Sequence, residues 1–227
     1  MSPAHTPASP LVAQVAAQVR TRCLAEPSGH DWHHIARVWR LARELATVEG
    51  ADPEVTELGA LLHDIADWKF HGGDDGAGPR AAAQLLDGLG AAPALRDAVV
   101  EIVATVSFKG AGVATPMRTV EGRCVQDADR LDALGAIGIA RCFAYGGHVG
   151  RPLHDPDVAP VLHASADAYK AAQGTSLNHF YEKLLLLQDR MTTASGRRLA
   201  AARHRTVAAF VRAFLDEWGD SPLHPLP

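Results

Sequence analysis

The stretch ADPEVTELGALLHDIAD, residues 51–67, decides the fold class from its first two residues onward. Asp52 has the side chain of a helix N-cap, and Pro53 carries the fixed φ that suits a first helical position. The apolar positions that follow lead directly into His63 and Asp64. On a continuous helix these two would stand about 100° apart, with Asp67 one turn beyond Asp64. Carboxylates at the inner end of an apolar run are costly to bury without partners, so this end of the helix asks for a chemical reason.

Working outward, the same period governs the rest of the chain. After a Pro-rich tail to Pro10, apolar residues recur at helical spacing from Leu11 to Leu24 and stop at EPSG. Ser28 with Asp31 three residues later resembles an N-terminal cap, and Ile35, Val38, Leu41, Ala42 and Leu45 then form one stripe that ends at Gly50. His34 sits on the edge of that stripe. The glycine-rich HGGDDGAGP, residues 71–79, predicts a loop, followed by helices over 79–89 and 93–106. From Thr119 onward, VQDADRLDALGAIGIARCFAY predicts one long, mostly buried helix. GGHVGRPLHDPDVAP is an irregular connection. SLNHFYEKLLLLQDRM and TASGRRLAAARHRTVAAFVRAFLDEW predict two final helices. With no alternating strand pattern and no repeat, the expectation is an all-α fold of about seven helices. It forms one domain over residues 11–218, flanked by tails at 1–10 and 219–227.

Composition narrows the function classes. Of 227 residues, 47% are hydrophobic and 21% charged, and the 20 Gly and 14 Pro are dispersed, which describes a soluble globular chain. A formal charge of -4 leaves no basic footprint for duplex nucleic acid. Cys23, Cys124 and Cys142 are too far apart for a zinc knuckle or redox motif, which fits a reducing cytoplasm. The start of the chain shows no charged leader, and no window has the length of a membrane span. Apolar helix faces of this kind serve a core or a homodimer equally well.

Chemistry gathers on three predicted helices. His34 lies one turn ahead of Arg37, His63 and Asp64 are adjacent, and Asp129 stands in QDADRLDAL. Two imidazoles and two carboxylates form a mixed nitrogen and oxygen set suited to one divalent ion such as Mn, Fe, Co, Ni or Zn, with Mg less favoured by imidazole.

The order His34, then His63 with Asp64, then Asp129 resembles the signature of the HD-domain metal-dependent phosphohydrolases. More narrowly, GHDWHHIARVWRLA, LLHDIADWKFHGGD and VQDADRLDALGAIGIAR resemble a bacterial subgroup of HD hydrolases linked to nucleotides. The likeness runs over about residues 10–218 and implies an all-helical fold. Separations of 29 residues from His34 to His63 and 65 from Asp64 to Asp129 suit it. The family's HxxRV element selects His34 over His33, and its RL element selects Asp129, leaving Asp127 and Asp132 as supporting or surface groups. The resemblance further implies Asp67 as the general base, in a place where some HD nucleotidases carry a glutamate. Arg37, Lys69, Lys109 and Arg130, with Lys183, are expected to meet phosphate, and His71, Tyr145, His179 and Tyr181 to line a base or sugar pocket. The implied activity is hydrolysis of small phosphorylated compounds, chiefly nucleoside triphosphates with release of pyrophosphate. Monophosphatase, phosphodiesterase and noncatalytic sensor remain the alternatives.

Overall fold

The computed structural model describes residues 6–23, 31–66, 74–172, 174–219 and 222–225. Among them are ten α-helices, two short 3-10 turns and no strand. Contacts gather into two units, one built from residues 1–26, 30–107 and 116–128, the other from residues 27–29, 108–115 and 129–227.

The first unit holds α1 (Pro10–Cys23), α2 (Trp32–Glu49), α3 (Pro53–Leu62), α4 (Ala77–Gly88), α5 (Pro93–Thr105) and the greater part of α6 (Val120–Asp132). Its core is the meeting of helical stripes: Val12, Val15 and Val19 from α1, Ile35 from α2, Leu58, Leu61 and Leu62 from α3, Leu85 and Leu86 from α4, Val99 and Val103 from α5. Each such large side chain taken from water contributes about 1.5–3 kcal/mol. α3 packs against α1, α2 and α5 and so runs through the middle of the unit. Its one charged core residue, Glu57, is 2% exposed, accepts from Trp39 Nε1 at 2.8 Å and pairs with Arg43 Nε at 3.3 Å, which fastens α3 to α2.

The caps explain where these helices begin. Asp31 caps α2, its carboxylate accepting from His34 N at 2.8 Å; Ser28, the other residue of the expected cap, lies outside the described residues. Asp52 accepts from Val55 N at 3.0 Å and Pro53 occupies the first turn of α3. α3 stops at Leu62, so the His-Asp pair stands at its C-terminal end instead of inside it. His63 still has helical dihedrals, φ -57° and ψ -32°.

The second unit contains the end of α6, α7 (Gly135–His148), α8 (Ala166–Lys170), α9 (Asn178–Glu182), the 3-10 turns Leu184–Leu186 and Gln188–Arg190, and α10 (Ala194–Trp218). α10 packs on α7, with Phe143 against Phe180, Phe210 and Phe214. Two expectations are corrected here. The long helix after Thr119 is two helices, broken at Ala133–Leu134, because Gly135 takes φ 74° and the chain doubles back so closely that a Cβ on Gly138 would lie 2.2 Å from Ala133 O. The small residues of LGAIG therefore permit a tight corner. SLNHFYEKLLLLQDRM is likewise broken, into α9 and two 3-10 turns: Lys183 leaves the helical region at φ -142°, and the following turns keep Leu184 and Leu187 buried at the three-residue spacing of a 3-10 helix. α8 is an addition, started by Ser165, which accepts from Ala168 N at 3.2 Å. Among the described residues no helix is long and apolar enough to cross a membrane.

Candidate metal centre

The first turn of α2 presents His34. With Asp31 holding its backbone N–H, His34 turns inward and is fully buried, whereas His33 is exposed. The fully buried Leu58, Leu61 and Leu62 fix the rotation of α3, and this leaves His63, 5% exposed, facing the same point. His63 Nδ1 lies 2.8 Å from Ala60 O. A carbonyl oxygen only accepts, so Nδ1 carries the proton and Nε2 presents a lone pair.

That lone pair is aimed at His34. The two Nε2 atoms are 3.2 Å apart, with the rings at 74° and their centroids 5.1 Å apart. Asp64 Oδ2 lies 3.3 Å from His34 Nε2 and 3.5 Å from His63 Nε2. α6 carries Asp129, the residue after Ala128, three residues before the helix ends at Asp132. One ligand atom each from His34, His63 and Asp129 lie within 4.8 Å of one another.

The donor set fits a divalent cation. Two nitrogens bound at about 2.1 Å and at right angles to one ion stand about 3 Å apart, close to the observed 3.2 Å. The Ala60 carbonyl sets the tautomer of His63 in the manner typical of imidazole ligands. Asp64, half-buried, stands where its negative charge would offset that of the ion.

The other residues singled out in the sequence fall in different places. Asp67, Lys69 and His71 lie outside the described residues. Arg37 is half-buried one turn beyond His34. Lys109 is half-buried on the segment Phe108–Thr115, and Lys183 Nζ sits 5.4 Å over the Phe108 ring. Arg130 is 5% exposed and donates to Thr115 Oγ1 at 2.9 Å and to Arg190 O. Asp127 and Asp132 are buried rather than superficial, and Asp132 pairs with Arg141 at 3.0 Å. Tyr145 receives the Arg151 guanidinium at 5.9 Å from its ring centroid, and His179 stacks on Tyr169 with centroids 6.4 Å apart. Tyr181 donates to Pro225 O at 2.9 Å, and burial raises its pKa.

Arg190 escaped the sequence reading. Its guanidinium donates to Gly110 O at 3.4 Å, Val113 O at 3.3 Å and Ala111 O, and lies 4.9 Å over the Phe108 ring. Its partners are backbone atoms 77 to 80 residues away, and such contacts leave no local pattern.

An all-helical chain with His34, His63, Asp64 and Asp129 so arranged belongs to the HD-domain family, and the HD domain family description matches residues 31–134. Among individual proteins, YpgQ of Bacillus subtilis is 38% identical over 203 residues, 88% of this chain and 89% of YpgQ. Its crystal structure in complex with ADP superposes with a TM-score of 0.70 at 33% identity, covering 91% of this chain and 97% of that one. A protein from Lactobacillus plantarum gives a TM-score of 0.85 at 36% identity over 94% of this chain and 99% of its own. An HD-superfamily hydrolase from Bacillus thuringiensis gives 0.68 at 39% identity over 91% and 96%.

Proposed function

We propose that the protein is a metal-dependent phosphohydrolase of nucleotides, acting chiefly on nucleoside triphosphates with release of pyrophosphate. The observation that carries this reading is the convergence of one ligand atom each from His34, His63 and Asp129 within 4.8 Å, with Asp64 beside both imidazoles. The hydrolase described from B. thuringiensis and the ADP bound by YpgQ support it by similarity.

His34, His63, Asp64 and Asp129 would hold one divalent ion, with Mn, Fe, Co, Ni and Zn all compatible with the nitrogen and oxygen donors. When bound, such an ion lowers the pKa of water and polarises a phosphoryl oxygen. The chain supplies the rest. Asp67, three residues beyond Asp64, takes the proton of the attacking water. Water oxygen bonds to the α-phosphorus, the bridge to the β-phosphate breaks, and pyrophosphate leaves with its electron pair. Arg37, Lys69, Lys109 and Lys183 offset the charge of the triphosphate, and His71 contributes to the substrate pocket. A cytoplasmic site of action suits the buried thiols of Cys124 and Cys142, both pushed up to about 12 by burial and therefore unreactive.

The test is chelated protein reconstituted separately with Mn, Mg, Co, Ni and Zn and assayed on nucleoside mono-, di- and triphosphates and diesters, with pyrophosphate and orthophosphate measured separately. Pyrophosphate from triphosphates is the expected product. Orthophosphate alone or cleavage only of diesters would move the scissile bond, and stoichiometric metal without any turnover would make the protein a sensor.

A further inference from the structure

The three residues that follow Asp129 on α6 are each pinned from elsewhere in the second unit. Arg130 sends its guanidinium to Thr115 Oγ1 and to Arg190 O. The carbonyl of Leu131 accepts from the guanidinium of Arg203, on α10. The carboxylate of Asp132, 2% exposed, pairs with Arg141 of α7 at 3.0 Å. The acceptor at Arg190 is itself fixed, because the Arg190 side chain gathers the carbonyls of Gly110, Ala111 and Val113.

A helix normally frays here. The last turn of α6 is closed by few bonds, Ala133 N donating to the carbonyls of Asp129 and Arg130 at 3.2 Å and Leu134 N to that of Leu131 at 3.1 Å, and the chain turns away at Gly135 directly afterwards. A ligand on such an end would sweep through positions far wider than the roughly 0.5 Å that a metal constellation tolerates. A guanidinium at a helix C-terminus both satisfies an orphan carbonyl and complements the dipole. Arg203 adds a charged second donor to the Leu131 carbonyl, two residues from Asp129, and its aliphatic stem lies 3.4 Å from where a Cβ of Gly135 would be, against the corner that ends α6.

We propose that Arg130 and Arg203 are positioning residues for Asp129, holding the last turn of α6 so that its carboxylate stays within reach of His34 and His63; this rests on the metal-centre reading above. Arg130 thereby acts on the metal through Asp129, and its donors serve the protein rather than a phosphate of the substrate.

The experiment is Mn2+ binding to chelated full-length protein without nucleotide, read by electron paramagnetic resonance of the free ion. It compares the wild type with Arg130→Met, Arg203→Met, Arg203→Lys and, as a control, Arg205→Met, an exposed arginine of the same helix. Both Arg130→Met and Arg203→Met should weaken Mn2+ binding about 10–100-fold, the usual effect of removing a group that orients a ligand. Arg203→Lys, which keeps a cationic donor, should recover part of the loss, and Arg205→Met should bind like the wild type. Unchanged Mn2+ affinity in Arg130→Met and Arg203→Met, even with a lowered Tm, would reduce the arginines to general supports and overturn the inference. So would a raised KM for triphosphate at unchanged Mn2+ affinity in Arg130→Met. If Arg203→Met fails to fold, Arg130→Met and Arg203→Lys decide. Wild-type protein that binds no divalent ion would instead overturn the metal-centre reading itself.

Discussion

At the scale of the residue, His63 does the most with the least freedom. Its Nδ1 proton is committed to Ala60 O, so the ring turns one lone pair toward His34, and neither imidazole has solvent to soften the approach of two nitrogens at 3.2 Å. A divalent cation held there would take up the facing nitrogens, and the carboxylate of Asp64 beside both imidazoles would offset its charge. Replacing His63 by Ala should therefore abolish stoichiometric metal binding while far-ultraviolet circular dichroism keeps its helical signal, and metal analysis by mass spectrometry checks it. Asp67→Asn is expected to behave differently. It should retain metal and lose about 10²–10⁴-fold in kcat, the ordinary worth of a general base, so full turnover in that variant would remove Asp67 from the role.

At the scale of the element, corners and straps matter more than helices. The α6–α7 corner allows no side chain at position 138, because a Cβ there would meet Ala133 O at 2.2 Å. Gly138→Ala should cost about 1–3 kcal/mol by forcing the backbone apart, measurable as a lowered denaturation midpoint at unchanged m-value. A second element-scale feature is the segment 222–225. His224, 4% exposed, has Nε2 2.8 Å from Asn178 Oδ1, and its ring meets that of His154 at 4.5 Å between centroids, with Tyr181 and Trp218 alongside. Burial lowers the pKa of both histidines; His154 depresses His224 further, while Asp155 pulls His154 partly back. A depressed histidine pKa means that the unfolded chain binds more protons. The pair's contribution is thus complete above the ordinary value of 6.5 and fades as pH falls from there through the lower folded values. Tm should accordingly drop on acidification below pH 6.5. The His154→Gln/His224→Gln double variant should show a flatter profile over that interval, and an equal slope in both proteins would dismiss the pair as the cause.

At the scale of the whole molecule, a bound ion should act as a stabilising ligand. Saturation with Mn2+ at about 100 times Kd adds roughly 2.7 kcal/mol to the native state if the unfolded chain does not bind. Differential scanning calorimetry with and without chelator should show Tm rising with Mn2+ in the wild type and standing still in His63→Ala; an equal rise in both would assign the effect to another site.

How much of this was legible beforehand follows from the range of the interactions involved. Helix periodicity, the Asp52–Pro53 start, the choice of an all-α class and the order of His34, His63, Asp64 and Asp129 are local or ordinal properties. The sequence by itself determined them, because an apolar stripe and a cap depend on residues three or four apart. Only the tertiary structure decided the rest: that α3 ends just before His63, that the helix after Thr119 breaks at Gly135, that Asp132 and Asp127 are buried, and that Arg130 turns to Arg190 O and Thr115 rather than away. The contacts of Asp132 and Arg130 join residues 9 to 60 positions apart, and the break at Gly135 rests on a backbone corner. Such contacts are set by packing, and no window of sequence contains both of their partners in recognisable form.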